Sequence, residues 1–183
     1  MFGYSRIKYE VFVFPDKQAQ GVEPKIEIDT KLLQLSEVTA KQWRQLQELQ
    51  GRFAVLYLKW RYGSSDTHIL LAFIRGRLAH VGWVVPARKI RPRYPFVTKN
   101  SYSIISCLTA RRFRGLGIFP AQLRKIIDSA ILSDQYWIWA RSDNLSSIKG
   151  IRRAKGVQVG EFVQRKWLWG CMSHIEYFPE RGD

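Results

Sequence analysis

The sequence predicts an α+β fold in which helices flank one mixed, mainly antiparallel sheet. Three observations carry this. Short apolar runs bounded by turn residues recur along the first 110 residues, two segments show apolar residues at helical spacing, and from residue 101 onward strand, helix, strand, helix and further strands follow in order.

Ile7-Lys-Tyr-Glu-Val-Phe-Val-Phe14 alternates at its start and predicts a strand closed by Pro15-Asp16. Ser36 to Gln50 predicts a helix: Ser36 opens it, Val38, Trp43, Leu46 and Leu49 fall near one face, and Gly51 stops it. Phe53 to Trp60, rich in apolar and aromatic residues, reads as a strand before the turn Tyr62-Gly-Ser-Ser-Asp66. His68 to Ile74 and Leu78 to Val85 predict a hairpin across Arg75-Gly-Arg77, and Pro86 to Pro95 a loop rich in proline and arginine. Ser101 to Thr109 is the next strand and Ile118 to Leu132 the next helix, with Leu123, Ile126, Ile127, Ala130 and Ile131 on one face. Pro120 is tolerated in the first turn, where an N–H would be unpaired anyway. A strand at 136–141, a helix at 145–155 and strands near 157–164 and 167–177 complete the order.

A chain of 183 residues suits one domain, expected over 1–183, with 1–35 an N-terminal extension of unassigned role. No apolar run reaches the roughly 20 residues of a membrane helix, and charges interrupt the N-terminal apolar residues, so a cytoplasmic protein without a membrane span is expected. Cys107 and Cys171 are too few for a metal quartet or a disulfide scaffold and read as reduced packing residues; no metal is expected.

The net charge is +15, and from Thr67 to Ile127 there is no Asp or Glu. Such a field concentrates anionic ligands. Arg88, Arg91 and Arg93 form the densest cluster, followed by Arg111, Arg112 and Arg114. The first cluster could neutralise an anionic acceptor, hold nucleic acid, or simply be solvated. Tyr94 and Phe96 follow it, but no nucleic-acid-binding motif occurs and nucleic acid is not the expected partner.

Cys107-Leu-Thr-Ala-Arg-Arg-Phe-Arg-Gly-Leu-Gly-Ile-Phe-Pro120 is the most informative segment, because a strand runs into an Arg/Gly turn that opens a helix. Gly115 and Gly117 allow unusual dihedrals and close approach, and the amides of a helix start favour an anion. A P-loop would need Lys followed by Ser or Thr after its last glycine, and a dinucleotide fingerprint a third glycine; Ile118 and Pro120 stand there instead.

Arg112-x-x-Gly115-x-Gly117 between a strand and an amphipathic helix resembles the coenzyme-A pyrophosphate loop of the GCN5-related N-acetyltransferases. Tyr136 to Ala140, then Asn144, Ser147 and Gly156, repeat the family's downstream order of strand, Asn, Ser, helix and glycine. The resemblance covers roughly residues 50 to 178. It implies a fold with the family's mixed sheet, acetyl-CoA as acyl donor, and N-acyl transfer. Arg112, Phe113, Arg114, Gly115, Leu116, Gly117 and Ile118 would form the coenzyme loop, Leu108 and Thr109 the strand end facing the pantetheine and polarising the thioester, and Asn144 and Ser147 further contacts. Asn144 also suits a helix N-cap. Where many members carry a tyrosine acid, this chain has Ile151; Gly156 falls one residue late and Val157 replaces the usual aromatic.

Acyl transfer to an amine needs a route for a proton, and the acid-free stretch leaves no carboxylate on 68–85 or 101–109. The candidates are His80, mid-strand among apolar residues, and the pair His174 and Glu176, which strand alternation puts on one face. His68 stands at a turn exit. Trp137 and Trp139, like Trp167 and Trp169, share a strand face and read as core, whereas Trp83 beside the basic loop could wall an acceptor site with Arg88, Arg91 and Arg93. The expected acceptor is a small anionic amine such as a nucleotide- or phosphate-linked amino sugar. Proteins or peptides are the rival acceptors, an acyl-carrier protein is an alternative donor, and homodimerisation stays open. A decayed acetyltransferase scaffold that binds nucleic acid is the reading from another class.

Overall fold

The computed structural model describes residues 5–14, 23–129, 135–167 and 172–180. An eight-stranded sheet organises them. The strands are β1 (Ser5–Val13), β2 (Asp29–Gln34), β3 (His68–Ile74), β4 (Arg77–Pro86), β5 (Tyr102–Thr109), β6 (Tyr136–Arg141), β7 (Val157–Trp167) and β8 (Met172–Pro179), and their spatial order is β2-β3-β4-β5-β6-β1-β7-β8. Every neighbouring pair is antiparallel except β5 and β6. The first strand is therefore no appendage: Val11 pairs with Trp139 on one side and Gly160 on the other, in the interior of the sheet.

Among the described residues five α-helices cover the two faces: α1 (Ala40–Gln50), α2 (Arg52–Tyr62), α3 (Ala87–Ile90), α4 (Ile118–Asp128) and α5 (Leu145–Arg153). Strand alternation sorts the core between them. Ile69, Leu71, Val81, Trp83 and Val85 join Leu46, Val55 and Leu58 of α1 and α2 on one face. Leu70, Val84, Ile104 and Ile138 join Leu123, Ile127, Ile148 and Ile151 of α4 and α5 on the other. Ile151 is thus a core residue.

Three elements differ from the sequence reading. The helix expected from Ser36 begins at Ala40, after a 3₁₀ turn at Leu35–Glu37; Thr39 caps it, accepting from the Gln42 amide at 3.3 Å while the Gln42 side chain accepts from the Thr39 amide at 2.8 Å. Residues 53–60 are helical within α2, not a strand. Aromatic content favours a strand there, but burial of Val55, Leu58 and Tyr62 at i, i+3 and i+7 requires a helix. Within the proline- and arginine-rich loop, residues 87–90 form the helical turn α3. The 68–85 hairpin stands as expected, closed by Arg75 and Gly76 at φ 49° and 72°, the left-handed pair that matches strand twist. The expectations for Ala130, Ile131, Leu132, Trp169 and Cys171 lie outside the described residues.

Candidate functional site

The parallel pair β5 and β6 touches only at Tyr102 with Tyr136 and Ser103 with Trp137. Beyond those residues the strands diverge, because β6 follows β1 while β5 stays on β4. The gap opens into a cleft of about 550 Å³ whose walls are the end of β5, the turn after it, α4 and α5.

An irregularity sets the end of β5. Ser106 has φ 53° and the β4–β5 register slips around it, a bulge that re-aims Cys107 to Thr109. Gln50 at the end of α1 fixes the bulge, donating from Nε2 to the Ser106 carbonyl at 2.8 Å and accepting at Oε1 from Trp83 Nε1 at 3.2 Å. After the bulge the Ala110 amide donates to the Ala79 carbonyl at 2.9 Å. Successive amides of a strand point to opposite neighbours, so the Thr109 N–H points away from β4 and into the gap. Of the two strand-end residues expected to polarise a thioester, Thr109 is the one with its donor so directed.

The turn follows at once. A 3₁₀ segment, Arg111–Phe113, leads to Gly115 and Gly117 at φ 79° and 76°, conformations that disfavour any side chain. Gly117 is the N-cap of α4, whose ladder starts with Ala121 donating to Gly117 O, so Ile118 and Phe119 present amides without an intrahelical acceptor. Arg114 Nε donates to the Thr109 carbonyl at 3.2 Å and ties the turn to the strand. Lys25 N donates to Leu116 O at 3.0 Å, so the segment ahead of β2 fastens the turn from outside.

Leu108, Thr109, Phe113, Arg114, Gly115, Gly117, Ile118, Asn144 and Ser147 all line this cleft. Asn144 Oδ1 also accepts from the Ser147 amide at 3.2 Å, so its capping role coexists with a place in the wall. Arg112 and Leu116 do not line it. The Arg112 guanidinium lies over the Phe113 ring at 4.8 Å, and Leu116 packs on the small cluster of Ile74, Ala79 and Ile118. Ser146, Lys149 and Arg153 also line the cleft, and the sequence reading misses them. Their spacing along α5 puts them on the face toward the turn, and Arg153 Nη1 sits 4.0 Å from where a Cβ on Gly117 would be.

His80 lines the cleft with its ring 5.8 Å from that of Phe119. It is 1% exposed, its Nδ1 lies 2.8 Å from Thr109 Oγ1, and Nε2 has no partner among the described residues. Burial pushes its pKa down to about 3, so the imidazole is neutral. Nε2 is itself buried, 3.9 Å from where a Cβ on Gly82 would stand. Cys107 shares that wall, and burial pushes its thiol up to about 12, leaving it protonated. No Asp or Glu of the described residues lines the cleft.

The other expected residues fall elsewhere. Trp83 is no open wall: it is fully buried beside Trp43 at 6.4 Å, because Val81, Trp83 and Val85 of β4 pack with the helices α1 and α2. His174 and Glu176 share a face of β8 as alternation predicts, but β8 is an edge strand four steps from β5, on the order of 19 Å across the sheet. Glu176 accepts there from Arg165 at 3.2 Å. Arg88, Arg91 and Arg93 follow the end of β4 that pairs with Tyr102, seven residues and on the order of 23 Å along β5 from Thr109. Arg88 donates from Nε to Asp66 at 3.1 Å; burial works against the Asp66 carboxylate, yet the bonds from Arg88 and Ser64 hold it below the usual range. Arg93 lies near enough to Tyr9, Tyr62 and Tyr94 for its charge to act on their hydroxyls. Tyr94 lies 4.6 Å from Trp139, and burial pushes its hydroxyl up to about 12.

No protein-family model and no curated protein matches this chain. Solved structures do. A GNAT-family acetyltransferase from Colwellia psychrerythraea superposes with a TM-score of 0.59 at 15% identity, covering 91% of this chain and 57% of its own. A GCN5-related N-acetyltransferase from Sphaerobacter thermophilus gives 0.58 at 12% identity, covering 90% and 53%. A conserved protein of unknown function from Staphylococcus epidermidis gives 0.61 at 11% identity, covering 89% and 62%. The chain thus spans between half and two thirds of the length of these structures. From the order of its strands to the splay that opens between β5 and β6, the chain has the fold of the GCN5-related N-acetyltransferases.

Proposed function

We propose that this protein is an N-acyltransferase that takes its acyl group from coenzyme A, with acetyl-CoA as the expected donor. One observation carries the reading: two left-handed glycines and the open start of α4 stand at the mouth of a cleft whose far wall presents the Thr109 N–H. The amides of the turn, with Arg114, Lys149 and Arg153 around them, suit a diphosphate. The Thr109 N–H suits the carbonyl oxygen of a thioester, where negative charge grows during attack by an amine. His80, neutral and bonded to the Thr109 hydroxyl, suits the role of a positioning group for Thr109.

The acceptor we propose is a small amine with an anionic remainder, such as a nucleotide- or phosphate-linked amino sugar. The charge of +15 supports it, as does Arg93 among the tyrosines of the opposite face. A protein or peptide amine is the rival acceptor, an acyl-carrier protein the rival donor, and the cytoplasm the proposed compartment. Calorimetry with coenzyme A and acetyl-CoA tests the donor: micromolar uptake is expected, and no uptake of either ends the reading. Thiol release from acetyl-CoA, followed over phosphorylated amino sugars and peptides, tests the acceptor; turnover confined to peptides discards the anionic amine.

A further inference from the structure

Helix α2 is apolar on both sides. Val55, Leu58 and Tyr62 face the sheet, as a surface helix requires. On the outward side Phe53, Leu56, Tyr57 and Trp60 follow at i, i+3, i+4 and i+7, and are 86, 47, 47 and 79% exposed. The Tyr57 and Trp60 rings lie 6.2 Å apart, so the stripe is continuous. At about 100° per residue, Arg52 and Lys59 border it on one side and Arg61 on the other, and α2 carries no acid. The neighbouring α1 exposes Lys41 and Arg44 as well as Glu48.

We propose that α2 docks this protein on the surface of an anionic lipid bilayer. A ridge of apolar and aromatic side chains flanked by cations fits the boundary between acyl chains and headgroups, which needs no preformed groove in its partner. Trp and Tyr favour that depth, and each flanking cation adds attraction to an anionic leaflet. A second copy is a poor occupant, because two-fold pairing through this ridge would bring the same cationic borders, each on a chain of +15, against one another. The docking is interfacial: no helix among the described residues is long and apolar enough to cross a membrane.

The test uses the full chain with vesicles of phosphatidylcholine alone or mixed with phosphatidylglycerol. Cosedimentation should be stronger on the mixed vesicles by about tenfold or more and should weaken as salt is raised. Lipids brominated on the acyl chain should quench tryptophan fluorescence of the unaltered protein, and Phe53→Gln with Trp60→Gln should reduce both signals by about tenfold or more. Three results overturn the proposal: no association with mixed vesicles, association without quenching, or self-association or capture by an acidic protein that the double variant abolishes while vesicles are ignored. If the double variant does not fold, quenching of the unaltered chain decides. None of these readouts involves coenzyme A, so the inference stands or falls apart from the proposed activity.

Discussion

His80 on β4 and Thr109 on β5 are register partners whose side chains meet at 2.8 Å, and this bond joins a buried neutral imidazole to the residue that closes the cleft. The acidity of His80 follows from its position. Its pKa falls from an unfolded value near 6.5 to about 3, so the unfolded chain binds the extra proton between those values. The contribution of His80 is complete above pH 6.5 and is lost as pH falls toward 3, at up to about 1.4 kcal/mol per unit. Urea titrations of the parent and His80→Gln at pH 7 and pH 4.5 should show a smaller acid loss in the variant; equal losses would remove His80 from this role.

Thr109→Pro deletes the amide that points into the gap, at a strand edge where proline is tolerated. Catalysis should fall by about 10²-fold or more in kcat, with the KM for acetyl-CoA little changed. Unchanged kcat would mean the thioester carbonyl finds its donor elsewhere.

Gly115→Ala and Gly117→Ala meet no close neighbour, since an added Cβ finds nothing within 4 Å at 115 and only ordinary contacts of 3.8 to 4.0 Å at 117. Their effect is backbone strain at positive φ, about 1 kcal/mol each in urea midpoints. Coenzyme A affinity measured by calorimetry should drop by more than that strain alone, because the turn must leave its left-handed geometry to relieve it.

Lys149→Glu and Arg153→Glu place negative charge beside the turn. Affinity for coenzyme A should weaken by about tenfold or more for each, while thermal stability changes little because both side chains are exposed on α5. Equal affinity in parent and variants would show that the ligand does not reach α5.

Gln50→Ala removes the acceptor of the buried Trp83 N–H together with the tether on the Ser106 bulge. A loss of about 1–3 kcal/mol is expected in chemical denaturation. Because the bulge aims Thr109, kcat should fall as well; stability loss without a kinetic effect would separate the two roles.

The Arg/Gly turn ahead of α4 is legible in the sequence alone. Two glycines, a strand ahead of them and an amphipathic helix after them are local requirements, and the fold keeps each. The same holds for the hairpin at Arg75-Gly76 and for Asn144 as cap. Lys149 and Arg153 are written in the helical spacing of α5, but their direction toward the turn depends on how α5 packs beside α4.

By itself, then, the sequence determined what rests on neighbours along the chain: turns, caps, strand alternation and the charge of the surface. Tertiary structure decided what rests on pairing and burial across long separations. It put residues 5–13 inside the sheet, made 53–60 a helix because three apolar side chains had a core to enter, and buried Trp83 while sending His174 and Glu176 to an edge. Apolar residues specify burial but not the partner that buries them, and the pairing of β1 between β6 and β7 is a choice among distant strands that no local pattern encodes.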